Sequence, residues 1–148
     1  MSLDISLISK TAFKKQGTGV FVREEGKNRE LTQEEVAAKF PNAMAVPLFE
    51  YETNEVFEAN ITHNLGKMAQ AADLYTALWR PDEIGCKYAK DIIGMLERGL
   101  KILKKDPEGF KKLNPENGWG SYEGLVETVT NYLEACKKWK HAEIEVSR

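Results

Sequence analysis

The chain has 148 residues, of which 42% are hydrophobic and 30% are charged, as in an ordinary soluble domain. Its formal net charge of −2 argues against a domain that binds nucleic acid through a large basic excess. No apolar run reaches the roughly 20 residues that a membrane-spanning helix needs, and the N-terminus lacks the apolar core of a secretory signal. We therefore expect one cytoplasmic domain over residues 1–148, with no membrane partner.

The first part of the chain predicts strands. Residues 1–15 are weakly patterned, and we interpret them as a flexible arm or an edge strand. β-prone residues at 20–24 and 29–31 flank turn chemistry and predict a hairpin that begins beside two glycines. Thr32 opens a capping-box pattern, which predicts a short helix over 33–40 that stops at a proline.

Three more strands are predicted, and they complete a small antiparallel sheet. Two short strands at 46–51 and 55–59 are separated by turn-forming residues at 53–54. Residues 142–146 alternate with a period of two, which indicates a last strand that returns to the sheet. Residues 1–60 are thus expected to be mainly β.

The chain from residue 61 onward is expected to be mainly helical. Apolar residues at spacings of three and four predict one continuous helix over 62–79, which ends before Pro81. A second helix is predicted from Asp82 or Cys86 to Lys104, and a third over 121–139. Three helices packed with a small sheet give an α+β fold.

The most informative motif, at residues 59–69, crowds four hydrogen-bonding side chains around the expected start of the first helix. They are Asn60, Thr62, His63 and Asn64. Because a helix N-terminus has unpaired N–H groups and a partial positive charge, the motif suggests a pocket for a phosphate, a carboxylate or a base edge. The alternative is local capping by Asn60 or Thr62, with His63 satisfied by a backbone carbonyl.

A second motif, at residues 78–81, ends the same predicted helix. Trp79 beside Arg80 suits stacking on a flat ring and pairing with an anion. A straight helix would place Arg80 roughly 25 Å from His63. The two residues would then share a small site only across a symmetric dimer, so a homo-oligomer is expected. The alternative is that Trp79 belongs to the core and Arg80 interacts with the end of its helix.

A third motif, at residues 117–122, places Trp119 between two glycines and just before a helix. Such a loop presents a large ring beside free N–H groups, which suits a nucleobase and its phosphate. Tyr122 is the other candidate ligand-binding residue of this motif. The alternative is that Trp119 closes the end of the helix bundle.

Signatures of enzymes and metal sites are mostly missing, so we predict no metal and no cofactor. His63 is the one plausible general acid or base near neutral pH, because His141 stands in a lysine-rich stretch. Cys86 and Cys136 occupy inward-facing helix positions and are interpreted as buried small hydrophobes. The lysine runs at 101–112 and 137–140 are interpreted as solvated helix faces that also attract polyanions.

The chain resembles a family of small proteins encoded by bacteriophages and prophages. The resemblance covers nearly the whole length and is most specific in the motifs NITHNL, LWRP and NGWG. Shared segments lie at residues 18–24, 29–32, 59–65, 68–69, 78–81, 117–120, 132–136 and 146–148. One departure is at residues 72–75, where similar proteins often have a glycine before the hydrophobic–tyrosine pair.

The resemblance implies a phage accessory protein that works in the host cytoplasm. The leading hypothesis is a non-enzymatic binder of a small anionic or nucleotide-like ligand, such as a host defence signal that the protein sequesters. The alternatives are a small enzyme that uses His63 on a nucleotide-like substrate, and an inhibitor of a host protein or a virion component.

Overall fold

The structure is a computed structural model that describes residues 1–14, 20–40 and 49–148. The predicted start of the hairpin at residues 17–19, the stop at Pro41 and the first part of the strand at 46–51 lie outside the described residues. Contacts divide the chain into two compact units, Met1–Ser9 with Asn54–Arg148 and Lys10–Thr53. All candidate site residues belong to the first and larger unit.

The described residues form strands and helices in the mixture that the sequence predicts, so the α+β fold class is confirmed. The strands are β1 (Ser2–Lys14), β2 (Phe21–Glu24), β3 (Lys27–Glu30), β4 (Phe49–Thr62) and β5 (Glu143–Ser147). The helices are α1 (Gln33–Lys39), α2 (Gly66–Ala71), α3 (Tyr75–Trp79), α4 (Ala89–Lys105), α5 (Pro107–Lys111) and α6 (Tyr122–Lys138). Two 3-10 turns, His63–Leu65 and Pro81–Ile84, precede α2 and follow α3.

The sheet of the larger unit has β1 in its centre, in the order β4-β1-β5. The interpretation of the first residues as an arm or an edge strand is therefore wrong. Alternate residues Leu3, Ile5 and Leu7 are at most 1% exposed, and this period-two pattern is too short to stand out in the sequence. The predicted last strand is confirmed, because β5 pairs antiparallel with β1, with Ile5 opposite Val146.

The predicted turn at residues 53–54 is also wrong, because β4 continues through both residues. Pairing along β1 outweighs the local turn preference of Thr53 and Asn54, as tertiary context commonly does. The strand ends at Thr62, which is the point where the first candidate motif begins its 3-10 turn.

The smaller unit contains the predicted hairpin and the capped helix, and both are confirmed. β2 pairs antiparallel with β3 across a turn in which Glu25 and Gly26 have φ values of 49° and 79°. Such left-handed pairs match the twist of two-residue hairpins. Thr32 and Glu35 form both hydrogen bonds of the capping box at the start of α1.

The continuous helix predicted over 62–79 is wrong, because the chain reverses between α2 and α3. Asp73 has a φ of 59°, and the N–H of Leu74 donates to the carbonyl of Ala69 at 2.8 Å. Leu74 is fully buried against Gly99 of α4, where a Cβ atom would clash with the leucine side chain. Both short helices bury apolar residues, so together they mimic the periodicity of one long helix.

The longest helices, α4 and α6, pack side by side and run antiparallel. The hydroxyl of Tyr122, at the start of α6, donates to the carbonyl of Leu103 near the end of α4 at 2.8 Å. At the opposite end, the N–H of Ala89 donates to the carbonyl of Ala142, just beyond α6. Ser121 caps α6 as predicted, since its Oγ accepts from the N–H of Gly124 at 3.1 Å.

We predict that Asp73→Gly stabilises the protein by about 0.5–1 kcal/mol, because glycine adopts the left-handed region without steric cost. Both variants lose the exposed 3.5 Å ion pair with Arg98, so Asp73→Ala, which keeps a Cβ atom in the left-handed region, should destabilise the protein. Urea unfolding of the unmodified protein and the two variants measures the order of their free energies of unfolding. Equal stability of the glycine and alanine variants would contradict the backbone argument.

Candidate functional site

A cleft of about 270 Å³ lies between the end of β4 and the first two turns of α6. We call it the β4–α6 cleft. Its lining residues carry no charge: they are Asn60, Ile61, Thr62 and Leu65 on one side and Gly120, Ser121, Gly124, Leu125 and Thr128 on the other. Two of the sequence motifs, which the sequence alone left unconnected, thus meet at one cleft.

Gly120 makes the close approach that joins the two motifs. Its φ of 104° belongs to the region that favours glycine. A Cβ atom at this position would lie 2.8 Å from Cγ2 of Thr62 and 2.9 Å from Cγ of Leu65. Only a residue without a side chain lets the backbone of the loop reach this close to the turn that follows β4.

Trp119, immediately before this contact, is 71% exposed, although the backbone around it is ordered by specific interactions. Gly118 has a φ of 75°, and Oδ1 of Asn117 accepts the N–H of Trp119 at 2.9 Å. The prediction that the flanking glycines present the ring is confirmed, and the alternative that Trp119 closes the helix bundle is wrong. An exposed aromatic ring on such a turn is available to stack against a flat group.

Sequence reasoning missed Gly124 and Thr128 as site residues. With Ser121 and Leu125 they lie at spacings of three and four, so they share one face of α6. Three of these four side chains are small, which leaves room between α6 and the end of β4. Small residues at helical spacing were therefore a usable signal.

The polar side chains of the first motif do not converge on one point. Oγ1 of Thr62 accepts the N–H of Asn64 at 3.3 Å, so Thr62 is the cap, although of a 3-10 turn rather than of a long helix. Nδ2 of Asn60 donates across the sheet to Ser2 and Asp4 of β1. Asn60 therefore helps to hold the end of β4, and the cleft lies beside its backbone.

His63 and Asn64 are exposed, and neither lines the β4–α6 cleft. The rings of His63 and Trp79 form a T-shaped pair with centroids 6.2 Å apart, and Trp79 is stacked on Tyr75 at 5.2 Å. Trp79 itself is 2% exposed, so the interpretation of this residue as core is confirmed.

The reversal between α2 and α3 also corrects the expected separation of His63 and Arg80. His63 contacts Trp79, the residue before Arg80. His63 and Arg80 therefore lie near the same end of α3 and not one helix length apart. Nη1 of Arg80 donates to Glu83 at 2.8 Å, and hydrogen bonds to Tyr75 and Glu83 raise the pKa of Arg80. The distance argument for a homo-oligomer therefore fails, and the oligomeric state stays a prediction.

Tyr122 does not belong to the candidate site. It is 7% exposed, its ring stacks on Phe110, and its hydroxyl donates a hydrogen bond to the carbonyl of Leu103. The side chain therefore fixes α6 against α4, and its hydroxyl cannot serve a ligand without breaking a buried hydrogen bond.

The start of α6 offers little to an anion. Oδ1 of Asn114 accepts the N–H of Tyr122 at 2.8 Å, and Ser121 accepts the N–H of Gly124. Glu123 adds a negative charge to this first turn. The arrangement therefore suits a neutral polar group with an aromatic face better than a phosphate or a carboxylate.

Arg148 contacts the LWRP motif at the C-terminal end of α3. Nη1 of Arg148 donates to the carbonyl of Trp79 and to Oδ1 of Asp82, both at 2.8 Å. The side-chain hydrogen bond from Arg148 is the main cause that lowers the pKa of Asp82 below its ordinary value. Arg148 thus ties the segment after β5 to the turn that follows α3.

Cys86 and Cys136 are buried free thiols, as predicted, and burial raises the pKa of Cys136 to about 12. Within residues 1–14, 20–40 and 49–148, no group of three or more histidine, cysteine or acidic side chains is placed to hold a metal ion. Among the helices of the same ranges, none combines the length and the apolar character needed to cross a bilayer.

Comparison with protein-family models, with curated proteins and with solved structures gives no match to this chain.

We predict that Gly120→Ala destabilises the protein by about 1–3 kcal/mol more than Gly118→Ala does. Both variants force alanine into a left-handed backbone, but nothing lies within 4 Å of a Cβ at Gly118, so only Gly120→Ala meets Thr62 and Leu65. Urea unfolding of the two variants measures the extra cost at Gly120, which combines that contact with a φ of 104° that lies farther from the left-handed region than the 75° of Gly118. Equal losses of stability would show that the loop does not approach the β4 end this closely.

We predict that Arg148→Met raises the pKa of Asp82 toward its ordinary value. Because the folded-state pKa is lowered, the ion pair stabilises the fold above the unfolded pKa of about 3.8, and this contribution is lost as the pH falls through the folded pKa. Carbon-detected NMR titration of the Asp82 carboxyl group measures the shift. Arg98→Met, which removes a different exposed ion pair, is the control and should leave Asp82 unchanged.

Proposed function

We propose that the protein is a non-catalytic binding protein whose β4–α6 cleft receives the base of a nucleoside-like ligand, with Trp119 stacking on it. The observation that carries this proposal is the ordered presentation of Trp119, 71% exposed, next to an uncharged polar cleft. A single exposed hydrophobic side chain is ordinary on a protein surface. What favours a ligand is the position of Trp119, on an ordered turn directly before Gly120 of the cleft. Base–aromatic stacking contributes about 1–3 kcal/mol per base, which is enough to justify such a ring.

The size of the cleft supports a single ring system rather than a whole nucleotide. Its volume of about 270 Å³ is slightly below the range of about 300 to 1,000 Å³ that is usual for ligand pockets. Thr62, Ser121 and Thr128 are among its lining residues, and each has a hydroxyl group that can donate a hydrogen bond to the edge of a base.

The proposal refines the anionic ligand expected from the sequence. The lining of the cleft carries no cation, and Glu123 stands in the first turn of α6. A ligand with a phosphate would therefore gain its affinity from the base, with the phosphate left in solvent. Binding that depends on the base and not on the phosphate distinguishes this proposal from a phosphate site at a helix N-terminus.

The resemblance to small phage proteins supplies the proposed biological setting. A binder without a catalytic group suits a phage accessory protein that removes a host defence signal from the host cytoplasm. The geometry gives no comparable support to an enzyme, because the His63 ring packs against Trp79 and lies outside the lining of the cleft.

The test uses adenosine, guanosine, cytidine and uridine as probes, titrated into protein that is ¹⁵N-labelled. At least one nucleoside should shift the indole N–H signal of Trp119, and its 5′-monophosphate should bind no more tightly. Trp119→Ala should weaken binding by about tenfold to a hundredfold, as expected for one stacked base. The variant should keep its fold, because the Trp119 side chain is mostly exposed.

A control variant and a second test variant sharpen this experiment. Trp139→Phe changes an aromatic residue just beyond α6 that does not line the cleft, and it should bind like the unmodified protein. Thr128→Val keeps the shape of a lining residue but removes its hydroxyl, so binding should weaken. Wild-type affinity in both Trp119→Ala and Thr128→Val would overturn the site, and conversion of a bound nucleoside into a product would favour the enzyme instead.

A further inference from the structure

A second cavity, of about 510 Å³, runs along α4 beside α6 and shares no lining residue with the β4–α6 cleft. We call it the basic groove. Four lysines line it, Lys101, Lys104 and Lys105 from α4 and Lys137 from α6. The chain as a whole has a net charge of −2, so this concentration of positive charge is local.

The charge of the groove is only partly neutralised. Nζ of Lys137 pairs with Oε1 of Glu97 at 3.1 Å. In the ranges that the structure describes, Lys101, Lys104 and Lys105 form no ion pair with a carboxylate. Lys104 and Lys105 lie in the last turn of α4, where cations complement the helix dipole, but Lys101 lies a turn earlier and the dipole does not account for it.

The floor of the groove is apolar. Leu100 and Leu133 line it and are 6% and 8% exposed, and the aliphatic stems of the lysines extend this apolar surface. The positions from Glu97 to Lys105 span about 12 Å of α4, at a rise of about 1.5 Å per residue. This length matches about two turns of a helix laid along the groove.

We propose that the basic groove docks an acidic amphipathic segment of a partner protein. Acidic side chains of the segment would pair with Lys101, Lys104 and Lys105, and its apolar side chains would cover Leu100 and Leu133. Charge complementarity selects this occupant, because three exposed lysines without carboxylate partners surround a narrow apolar floor.

The same features disfavour a nucleic acid in the groove. A phosphate backbone has no apolar side chains to place on Leu100 and Leu133. The negative net charge of the chain also opposes approach of a long polyanion.

The probe for this proposal is a fluorescein-labelled 14-residue peptide that carries glutamates at helical spacing on one side and leucines on the other. Its binding is followed by fluorescence anisotropy at low and at physiological salt. The double variant Lys101→Glu, Lys104→Glu should weaken binding by about tenfold or more, because two attractive charges become repulsive. Added salt should also weaken binding to the unmodified protein.

A matched control separates the groove from the net charge. The double variant Lys112→Glu, Lys140→Glu changes the net charge by the same amount at exposed lysines outside the groove, and it should bind the peptide within about twofold of the unmodified protein. Circular dichroism confirms that both variants are folded.

Three outcomes would overturn the proposal. They are equal weakening in the two double variants, binding of a scrambled peptide of the same composition with equal affinity, and tighter binding of a single-stranded oligonucleotide than of the peptide. Methyl shifts of Leu100 and Leu133 on addition of the peptide would support it, since they report directly on the floor of the groove.

Discussion

The packing of Leu74 against Gly99 determines much of the larger unit. It requires the chain to reverse after α2, and Asp73 provides the reversal with a left-handed backbone. Without this reversal, α2 and α3 would form one rod, and Trp79 would lie far from His63. Because the reversal holds, Trp79 is buried between elements and its carbonyl accepts a hydrogen bond from Arg148.

The β4–α6 cleft depends on a second close contact, which is made by backbone rather than by side chains. Gly120 brings the tryptophan loop against the turn after β4, and small residues on α6 keep the space beside it open. The same loop holds Trp119 in solvent, where it is available for stacking. The structure therefore offers shape, hydroxyl groups and an aromatic face, while charge is nearly absent from the cleft.

Charge is concentrated elsewhere, in the basic groove along α4. The two surfaces differ in chemistry, since one has uncharged hydroxyl groups and a ring and the other has lysines over leucines. A neutral planar ligand and an acidic protein segment would therefore not compete for the same groups. This separation fits a protein that binds two partners of different kinds.

Local chemistry by itself determined several features of this protein: the α+β class, the hairpin, the Thr32 and Ser121 caps, the returning last strand and the exposed Trp119 loop. Each depends on neighbouring residues, such as a hydroxyl three residues before an N–H or a tryptophan between two glycines. Only the tertiary structure decided that β1 is central, that β4 runs through Thr53 and Asn54, and that residues 62–79 form two short helices. It also removed Tyr122 from the site, through the hydrogen bond to Leu103, and brought Thr62 to Gly120. Strand pairing, the burial of Leu74 and this hydrogen bond all join residues that are far apart in sequence. Local propensity carries no information about such partners.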